Sequence, residues 1–567
     1  MPYKNFIAAV YCPVGNLIDI NDIDAFAKKF AFIEKHVNVG KVYLETYRSG
    51  RMIEREKMEA LKAFFMSRGI AISGGITTTP APSGGGGFDS FCYTDSESRK
   101  LLTQISEFTA GLFDEIILDD FYFTNCRCES CIKAKGNRSW ADFRLSLMND
   151  ISENVIVGPA KRVNPKVKMV IKYPNWYEHF QETGYNLKDE PKIFDMIYTG
   201  TETRNPTYTQ QNLPKYLSYF NMRYMENVAP GRNGGGWFDP YECSYNLTSY
   251  ADQAYLTLFS KPAEAALFSL GSLLSEEYSL NAPIAGQVFS DMDKYLGDLG
   301  RPVGTACYLP YHSHGEDFIH NYLGMAGIPL EPSPDYPEKA STLFLAESSA
   351  CDPDIIDKIK KSLMAGARVI VTSGFVRASE QKFRDIVAVT CTAKKAKISK
   401  YAFTLDGGLR FGGCEDSDKE IIIPQVEFPT NDTWKLIGAF GEDTSFPILL
   451  KTDYGKGVLY ILTVPDDLGD LYNYPRTIIN QIRDVFSGSR ISLDAVSRQT
   501  LFTYDNNTFI LRSFLPYADR VAVTIKGEPT ALKDLSTGRE IQGFACKYGT
   551  VFEFTLAPSV NRIFRIV

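Results

Sequence analysis

The sequence predicts an α/β protein made of a (β/α)₈ barrel, a second α/β domain and a small antiparallel β domain. Strand-like and helix-like runs alternate eight times within about the first 280 residues, and the alternation resumes from about residue 300 to 488. The final stretch contains only short strand-like runs separated by turn signals. We therefore expect domains at 1–295, 296–488 and 489–567, with a doubly wound open sheet as the alternative for the first.

Eight short runs rich in apolar, β-branched and aromatic residues predict the barrel strands. They are FIAAVYC (6–12), KVYLETY (41–47), IAISGGI (70–76), EIILDDFYF (115–123), KMVIKYP (168–174), FDMIYTGT (194–201), GGGWFD (234–239) and EAALFSL (264–270). Stretches such as INDIDAFAKKFAFIEKHV place apolar residues three and four apart, which predicts amphipathic helices between the strands. The low-complexity stretch TTTPAPSGGGG (77–87) predicts a flexible loop after the third strand.

The renewed alternation predicts a flavodoxin-like layered sheet in the second domain. Its strand-like runs are VGTACYLP, STLFLAE, RVIVTSG and GKGVLYILTVP, and its helix-like runs are HGEDFIHNYLGMAG, PDIIDKIKKSLMAGA and YPRTIINQIRDVF. The third domain contains LFTYDNN, TFILRSFL, RVAVTIKG, TVFEFTLA and NRIFRIV, which have the length and turn spacing of antiparallel strands.

Composition and charge narrow the functional classes. The formal net charge is −7 and no basic stripe is present, so a nucleic-acid partner is not expected. No run of about twenty apolar residues and no signal-peptide pattern is found. This predicts a protein that does not span a membrane and is cytoplasmic. If a signal peptide has been removed, the protein is instead periplasmic or secreted. The 13% of aromatic residues suits a carbohydrate-binding protein, although a large core accounts for the same figure.

Polar side chains follow five of the predicted strands at their carboxyl ends. In a (β/α)₈ barrel this end carries the active site, so these side chains are expected to converge. They are Glu45, Asp119, Asp120, Lys172, Tyr173, Trp176, Glu202, Arg204, Trp237 and Asp239. Because four different strands contribute acids, the sequence predicts a pocket lined by carboxyl groups.

Two carboxyl groups across a pocket suit glycoside hydrolysis, one as nucleophile or base and the other as general acid. Because strand side chains alternate, only one of Asp119 and Asp120 can face the barrel axis, and Asp120 is the expected catalytic residue. Glu202 is its expected partner, although Arg204, two residues later, would lower the pKa of that carboxyl group.

The remaining strand-end residues are expected to bind the substrate. Asp239 lies beside Trp237 in the glycine-rich loop GRNGGGWFDP, and an acid next to an aromatic ring in such a loop is typical of sugar binding. The full predicted binding set is Glu45, Asp119, Lys172, Tyr173, Trp176, Arg204, Trp237 and Asp239.

Three cysteines follow the fourth strand in the spacing C-x-C-x-x-C: Cys126, Cys128 and Cys131. Three thiolates within six residues can bind one ion, and zinc prefers four tetrahedral ligands. Cys92, which precedes the helix leading into the fourth strand, is the expected fourth ligand. Such a shell is closed, which predicts a structural zinc site. The other seven cysteines are scattered singly and predict buried thiols, not a disulfide framework.

These motifs resemble the family 42 glycoside hydrolases, the β-galactosidases. Cys92 to Arg99 matches their cysteine motif before the fourth strand, and Cys126, Cys128 and Cys131 match their C-x-C-x-x-C after the fourth-strand acid. RPVGTACYLP, LMAGARVIVTSGF and GKGVLYILTVPDD resemble their middle domain. The resemblance implies an amidotransferase-like α/β domain that has lost its own chemistry, a small terminal β domain, and a homotrimer.

The site departs from that family at two strands. The β-galactosidases end the fourth strand in Asn-Glu and carry a glutamate on the seventh, where this chain has Asp119-Asp120 and Asp239. A fourth-strand aspartate with a sixth-strand acid, here Glu202, resembles instead the retaining α-galactosidase and α-glucosidase barrels. We therefore expect a glycosidase that leans toward α-linked substrates. A β-galactosidase-like hydrolase and a non-catalytic carbohydrate-binding barrel are the alternatives.

Two other enzyme classes are not expected. A metal-dependent hydrolase needs histidine ligands at strand ends, and none of the five histidines clearly lies at one. A cofactor-dependent oxidoreductase needs a glycine-rich phosphate-binding turn, and SGGGGF lacks the G-x-G-x-x-G spacing. No organic cofactor is therefore expected.

Overall fold

The computed structural model describes residues 2–567 apart from 83–88, 208, 210, 212, 244–245, 442–443, 488–489 and 529–530. The chain divides into two compact units, Met1–Gly297 and Asp298–Val567, and each is described by itself. In the predicted loop at 77–87, residues 77–82 form neither helix nor strand, and 83–87 lie outside the described residues. Within the described ranges, every helix is too short or too polar to span a lipid bilayer.

The first unit contains a closed barrel of eight parallel strands, which confirms the predicted fold. The strands are Ile7–Cys12, Val39–Arg48, Ala71–Ile76, Glu115–Leu118, Lys168–Tyr173, Met196–Gly200, Asn233–Phe238 and Glu264–Phe268. Val10 of the first strand is opposite both Val42 of the second and Leu267 of the eighth, which closes the barrel and excludes an open sheet. A two-residue strand, Arg51–Met52, pairs antiparallel with the second barrel strand.

Helical segments lie between the barrel strands along the chain. They are Val14–Ile18, Ile23–His36, Arg55–Met66, Ser96–Ala110, Glu129–Lys135, Trp140–Ile151, Ser152–Val157 (a π-helix), Gly158–Val163, Tyr177–His179 (3₁₀), Phe180–Thr183, Glu190–Ile193, Leu217–Val228, Leu247–Phe259, Leu270–Leu273 and Asn281–Asp293. Asp22 begins the second of them, because its side chain accepts hydrogen bonds from the N–H groups of Asp24 and Ala25.

Glycines in the seventh barrel strand allow close packing against its neighbours. A Cβ atom at Gly235 would lie 2.4 Å from the carbonyl oxygen of Glu264, and one at Gly236 would lie 2.4 Å from Thr257. Only glycine fits at these positions, so the run is a strand despite its composition. The strand carries Trp237 into the barrel interior, where its ring centroid is 4.5 Å from that of Tyr11.

The second unit contains a nine-stranded mixed sheet among its described residues. The strands are Thr305–Tyr308, Leu330–Ser333, Thr342–Leu345, Arg368–Thr372, Thr390–Leu405, Arg410–Glu427, Trp434–Gly441, Thr444–Tyr454 and Gly457–Leu462. Five of them are mutually parallel, and four of those five are strands that the sequence predicts. The four strands between residues 390 and 454 form an antiparallel extension that was not predicted from the sequence. Arg410–Glu427 is largely exposed over its first half, so it lacks the alternation that would have revealed it.

The rest of the second unit consists of helices and two antiparallel sheets. The helices are Ile319–Met325, Ile355–Met364, Ser373–Phe383 and Arg476–Phe486, with 3₁₀ segments Glu347–Cys351, Asp406–Gly408 and Leu468–Asn473. The two sheets contain Pro302–Val303, Ile491–Asp494, Gln499–Tyr504, Thr508–Ser513, Asp519–Ile525, Ala531–Asp534, Glu540–Gln542, Phe544–Cys546, Gly549–Leu556 and Asn561–Ile566. The predicted antiparallel strands at the end of the chain are thus present, packed around a buried apolar cluster.

Candidate active site

A cavity of about 850 Å³ opens at the carboxyl ends of the barrel strands. Eight of the ten predicted site residues line it: Asp119, Asp120, Lys172, Trp176, Glu202, Arg204, Trp237 and Asp239. They come from four strands and the loops that follow them. The convergence of strand ends in a barrel therefore explains why residues far apart in sequence meet here.

Lys172 lies at the centre of the polar residues. Its side chain is 1% exposed, and Nζ donates hydrogen bonds to Asp120 and, at 2.9 Å, to Glu202 Oε1. Asp119 Oδ1 is 3.7 Å from the same nitrogen, and the centroid of the Trp237 ring is 4.6 Å away. Burial alone would lower the pKa of Lys172, but the surrounding carboxylates raise it, so the group is an ammonium ion.

Asp120 has a carboxyl group that can hold a proton near neutral pH. Burial raises its pKa to about 7, and Asp119 and Glu202 act in the same direction against the opposing charge of Lys172. The side chain is 14% exposed and lines the cavity. Tyr185 donates a hydrogen bond to the Asp120 carbonyl oxygen and so fixes the backbone at this point.

Asp119, the preceding residue, is held as an anion. Its Oδ2 accepts hydrogen bonds from Arg48 at 2.6 Å and Thr77 at 3.2 Å, and its Oδ1 accepts one from the Asp120 N–H at 2.8 Å. Burial opposes ionisation, yet the charges of Arg48 and Lys172 hold the pKa of Asp119 below its usual value. Two consecutive carboxyl groups therefore have opposite pKa shifts.

Arg204 forms its close ion pair with Asp239. Its Nε and Nη2 atoms donate to the two carboxylate oxygens of Asp239 at 3.1 and 2.8 Å.

Burial raises the pKa of Glu202, with Asp239 adding to the effect and Lys172 opposing it. Arg204 lowers this pKa as expected, but it is paired with Asp239, and burial outweighs its effect, so the net shift is upward.

Glu45 is one of two predicted binding residues that the structure places outside the cavity wall. It is fully buried and accepts hydrogen bonds from Tyr11 at 2.7 Å, the Val14 N–H at 2.6 Å and Arg48 Nε at 3.0 Å. Glu45 shares the inward face of its strand with Tyr43 but lies below the cavity, where its carboxylate orients Arg48, which does line the cavity.

Tyr173 is the second such residue, and the structure does not place it in the lining of the cavity. Its hydroxyl group donates to Glu190 at 3.2 Å, and its ring packs near Phe180 and Tyr185. Side chains alternate along a strand, and Lys172 already takes the inward position, so Tyr173 faces away from the barrel axis.

Twelve further residues line the cavity and are not among those predicted from the sequence. They are Arg48, Phe121, Phe123, Asn125, Asn175, Thr183, Tyr185, Gln211, Tyr241, Glu242, Phe268 and Tyr278. Arg48 and Phe268 are the last residues of the second and eighth strands. The strand-end rule, that active-site residues lie at the carboxyl ends of barrel strands, would therefore have found them. The others lie beyond strand ends, where the sequence gives no signal for the direction of the chain.

The four predicted metal ligands meet in space. The Sγ atoms of Cys92, Cys126, Cys128 and Cys131 all lie within 4.8 Å of one another, so the group could hold a metal ion. Cys92 Sγ is 3.5 Å from that of Cys128 and 3.7 Å from that of Cys131. Zinc–sulfur bonds of about 2.3 Å in a tetrahedron place the sulfur atoms about 3.8 Å apart, so this spacing fits zinc.

Comparison with known protein families identifies the first unit. Residues 1–294, more than half of the chain, match the family model described as "Probable glycosyl hydrolase, catalytic domain". The chain belongs to this glycosyl hydrolase family. Two further models match the rest of this glycosidase: the second domain of the uncharacterized protein SSO3021 at 300–467, and "Probable glycosyl hydrolase, C-terminal domain" at 490–566.

Relatives and solved structures agree with this assignment. The glycosidase is 26% identical to the uncharacterized protein SSO3021 of Saccharolobus solfataricus over 87% of this chain and 88% of that protein. Its fold resembles Gan42B, a GH42 β-galactosidase from G. stearothermophilus, with a TM-score of 0.64 and 12% identity over 99% and 98% of the two chains. It also resembles α-L-fucosidase isoenzyme 2 from Paenibacillus thiaminolyticus, with a TM-score of 0.67 and 12% identity over 100% and 99%. The expected family 42 architecture is therefore confirmed as a fold.

Proposed function

We propose that this glycosidase cleaves the glycosidic bonds of an oligo- or polysaccharide with Asp120 and Glu202 as its catalytic carboxyl groups. The observation that carries the proposal is that both groups bind the same buried Lys172 ammonium ion at the cavity wall. Glycoside hydrolases use two carboxyl groups that flank the bond to be cleaved. This pair combines proximity, burial and access to a cavity large enough for a sugar.

The separation of the two carboxyl groups supports a retaining mechanism. Glu202 Oε1 is 2.9 Å from Lys172 Nζ, and Asp120 is hydrogen-bonded to the same nitrogen. Two oxygens bonded to one nitrogen lie within about 6 Å of each other. Retaining enzymes separate their carboxyl groups by about 5–5.5 Å, whereas inverting enzymes need about 6.5–9.5 Å to admit a water molecule. One carboxylate then attacks the anomeric carbon, and water later cleaves the glycosyl–enzyme ester.

The charges around the pair suit one ionised and one protonated carboxyl group. Burial raises the pKa of Asp120 to about 7 and also raises that of Glu202. The protonated group donates its proton to the departing oxygen, while Lys172 stabilises the ionised group before it attacks. Because the two groups interact strongly, the proton belongs to the pair and not to one residue.

The same proposal favours α-linked substrates. A fourth-strand aspartate with a sixth-strand acid resembles the retaining α-glycosidase barrels, and the Paenibacillus α-L-fucosidase shares the fold along the whole chain. A β-galactosidase-like activity is the second candidate, since Gan42B shares the fold too. That activity would use an acid on the seventh strand, but Arg204 binds both carboxylate oxygens of Asp239. This pairing leaves Asp239 poorly suited to attack an anomeric carbon.

Hydrolysis of a panel of aryl α- and β-glycosides tests the proposal. We expect wild type to hydrolyse one anomer, and Asp120→Asn and Glu202→Gln each to lower kcat at least about 100-fold while the protein stays folded. Asp239→Asn is the matched control and should mainly raise KM. A mild effect at Glu202 with a severe one at Asp239 would transfer the second role to Asp239 and favour the β anomer. If no aryl glycoside is hydrolysed, exo action on a terminal sugar is contradicted. Hydrolysis of longer oligosaccharides would then be assayed.

The leaving group separates the roles of the two carboxyl groups. A variant without the general acid should still hydrolyse dinitrophenyl glycosides, because that leaving group departs without a proton. A variant without the nucleophile should lose activity on every substrate. Equal losses on activated and unactivated substrates for both variants would contradict a division into acid and nucleophile.

The cysteine cluster holds a structural zinc ion in this proposal. Cys92, Cys126, Cys128 and Cys131 would supply a complete shell of four thiolates, which leaves no open position for substrate or water. Bound zinc would therefore supply conformational stability only. It would link the segment before the helix Ser96–Ala110 to the loop that follows Asp120.

A further inference from the structure

Glu242 lies on the loop after the seventh barrel strand and has an unusual backbone conformation. Its φ is +57°, a left-handed value that side chains other than glycine, asparagine and aspartate rarely adopt. Arg204, on the loop after the sixth strand, has a φ of +54° and faces it across the cavity wall. Backbone strain of this kind concentrates at binding and catalytic sites, because the surrounding structure must maintain it.

The Glu242 carboxylate lacks a full set of hydrogen-bond donors. Its Oε2 atom is buried and has no hydrogen-bond partner among the described residues. Arg204 Nη1 lies 3.8 Å from this oxygen and forms a long ion pair with it, beyond hydrogen-bond distance. The Glu242 side chain as a whole is 35% exposed and lines the cavity, so its carboxylate can accept a hydrogen bond from a ligand there.

The neighbours of Glu242 suit a sugar. The Tyr241 ring is 37% exposed and meets Tyr278 edge-on, with ring centroids 6.3 Å apart, and both residues line the cavity with Glu242. An exposed ring beside a hydrogen-bond acceptor can contact the C–H face and a hydroxyl group of one sugar.

The charge of the cavity favours an uncharged sugar. Among the described residues, five carboxyl side chains and three cationic ones line the wall. All three cations, Arg48, Lys172 and Arg204, are already paired with carboxylates. A uronate or a sulfated sugar would therefore be repelled, whereas a hydroxyl group could donate to the Glu242 carboxylate.

We infer that Glu242 is a specificity-determining residue that accepts a hydrogen bond from a hydroxyl group of an uncharged substrate sugar packed on Tyr241. The inference rests on the proposed function, since the sugar in question is the one whose glycosidic bond is cleaved. Glu242 takes no part in bond cleavage. It selects which sugar occupies the cavity.

Binding of monosaccharides to the full-length protein tests this inference without any turnover. Calorimetry with D-galactose, D-glucose, D-mannose and L-fucose identifies the best-bound sugar, and its single deoxy analogues locate the hydroxyl group. We expect Glu242→Gln to weaken the best-bound sugar about tenfold or more. One deoxy analogue lacks the hydroxyl group that contacts Glu242. We expect Glu242→Gln and wild type to bind this analogue with the same affinity. Glu277→Gln is the control, because Glu277 is exposed and does not line the cavity.

A Glu242→Gly variant separates recognition from a structural role. Glycine adopts a φ of +57° without strain, so this variant should melt at a higher temperature than wild type while binding sugar as weakly as Glu242→Gln. Wild-type affinity in either variant overturns the inference, as does an equal loss for every deoxy analogue. Failure of all four sugars to bind wild type also overturns it. Hydrolysis of the aryl glycosides would still test the proposed function independently of this inference.

Discussion

Asp119 and Asp120 are adjacent in the chain, yet the pKa values of their carboxyl groups shift in opposite directions because the two side chains have different neighbours. Asp119 turns toward Arg48, which is oriented in turn by the buried Glu45. Asp120 turns toward Lys172 and the cavity. The fixed negative charge of Asp119 then lies beside Asp120 and raises the pKa of the latter. The ion pair between Arg48 and Asp119 in the cavity wall thus tunes the neighbouring carboxyl group of Asp120.

Substitution Asp119→Asn should move the pH dependence of hydrolysis. Asparagine keeps an oxygen to accept the Asp120 N–H but removes the negative charge that helps to raise the Asp120 pKa to about 7. A lower Asp120 pKa means that the pair loses its proton at lower pH, so the alkaline limb of kcat/KM should shift to lower pH. Asp24→Asn, at an exposed position, should leave the limb unchanged. An unmoved or raised limb would show that Asp120 is not the titrating group.

Glu190 is a buried acid outside the cavity that should affect stability, not catalysis. Burial raises its pKa from 4.5 to about 7, against hydrogen bonds from Asn186, Tyr173 and Ser152. The folded protein therefore keeps this proton up to about pH 7, whereas the unfolded chain releases it near 4.5. The resulting stabilisation is full below pH 4.5 and is lost as pH rises to 7, by up to about 3 kcal/mol.

Urea unfolding of wild type and Glu190→Gln from pH 4.5 to 8 measures this contribution. The free energy of unfolding of wild type relative to the variant should fall as the pH rises toward 7 and then stay level. Glu153→Gln, an exposed position on the neighbouring π-helix, should show a constant difference. A constant difference for Glu190→Gln as well would mean that Glu190 is ionised throughout the range.

At the scale of elements, the barrel was predictable because its strands are short, apolar and separated by amphipathic helices. The strand-end rule then predicted eight of the residues that line the cavity, although it included Tyr173, which strand parity directs outward. Glu242 and Tyr241 could not be predicted, because their positions depend on the path of a loop with a left-handed residue. The strands from 390 to 454 were missed because polar residues cover much of their surface.

The loop that follows the fourth strand should depend on zinc for its order. Cys92→Ser removes the one ligand that comes from a distant segment, so we expect loss of about one zinc ion per chain and a lower melting temperature. The remaining folded protein should keep its kcat, because the closed shell takes no part in chemistry. Cys351→Ser, at an exposed cysteine in the second unit, is the control. Protein purified without zinc, or a variant with unchanged melting temperature, would contradict a structural zinc site.

At the scale of the whole molecule, the second unit exposes an apolar surface that a monomer would leave in water. Leu409 is 80% exposed, Phe411 67% and Trp434 54%. They lie around one end of the hairpin Thr390–Leu405 and Arg410–Glu427, where a Cβ atom at Gly408 would come within 3.7 Å of the Trp434 ring. Clustered apolar side chains of this size mark interaction surfaces, and the family resemblance implies that this α/β domain mediates a trimer.

We therefore expect the protein to sediment at three times its chain mass of 63.5 kDa, with this surface between subunits. Phe411→Ser combined with Trp434→Ser should give a monomer, because replacing two large apolar side chains removes about 25 cal/mol of stabilisation for each Å² that association would bury. Met66→Ser is the control, since Met66 is 59% exposed on a barrel helix and lies far along the chain from the hairpin. Sedimentation of wild type as a monomer would contradict the trimer, and a double variant that stays trimeric would place the interface on another surface.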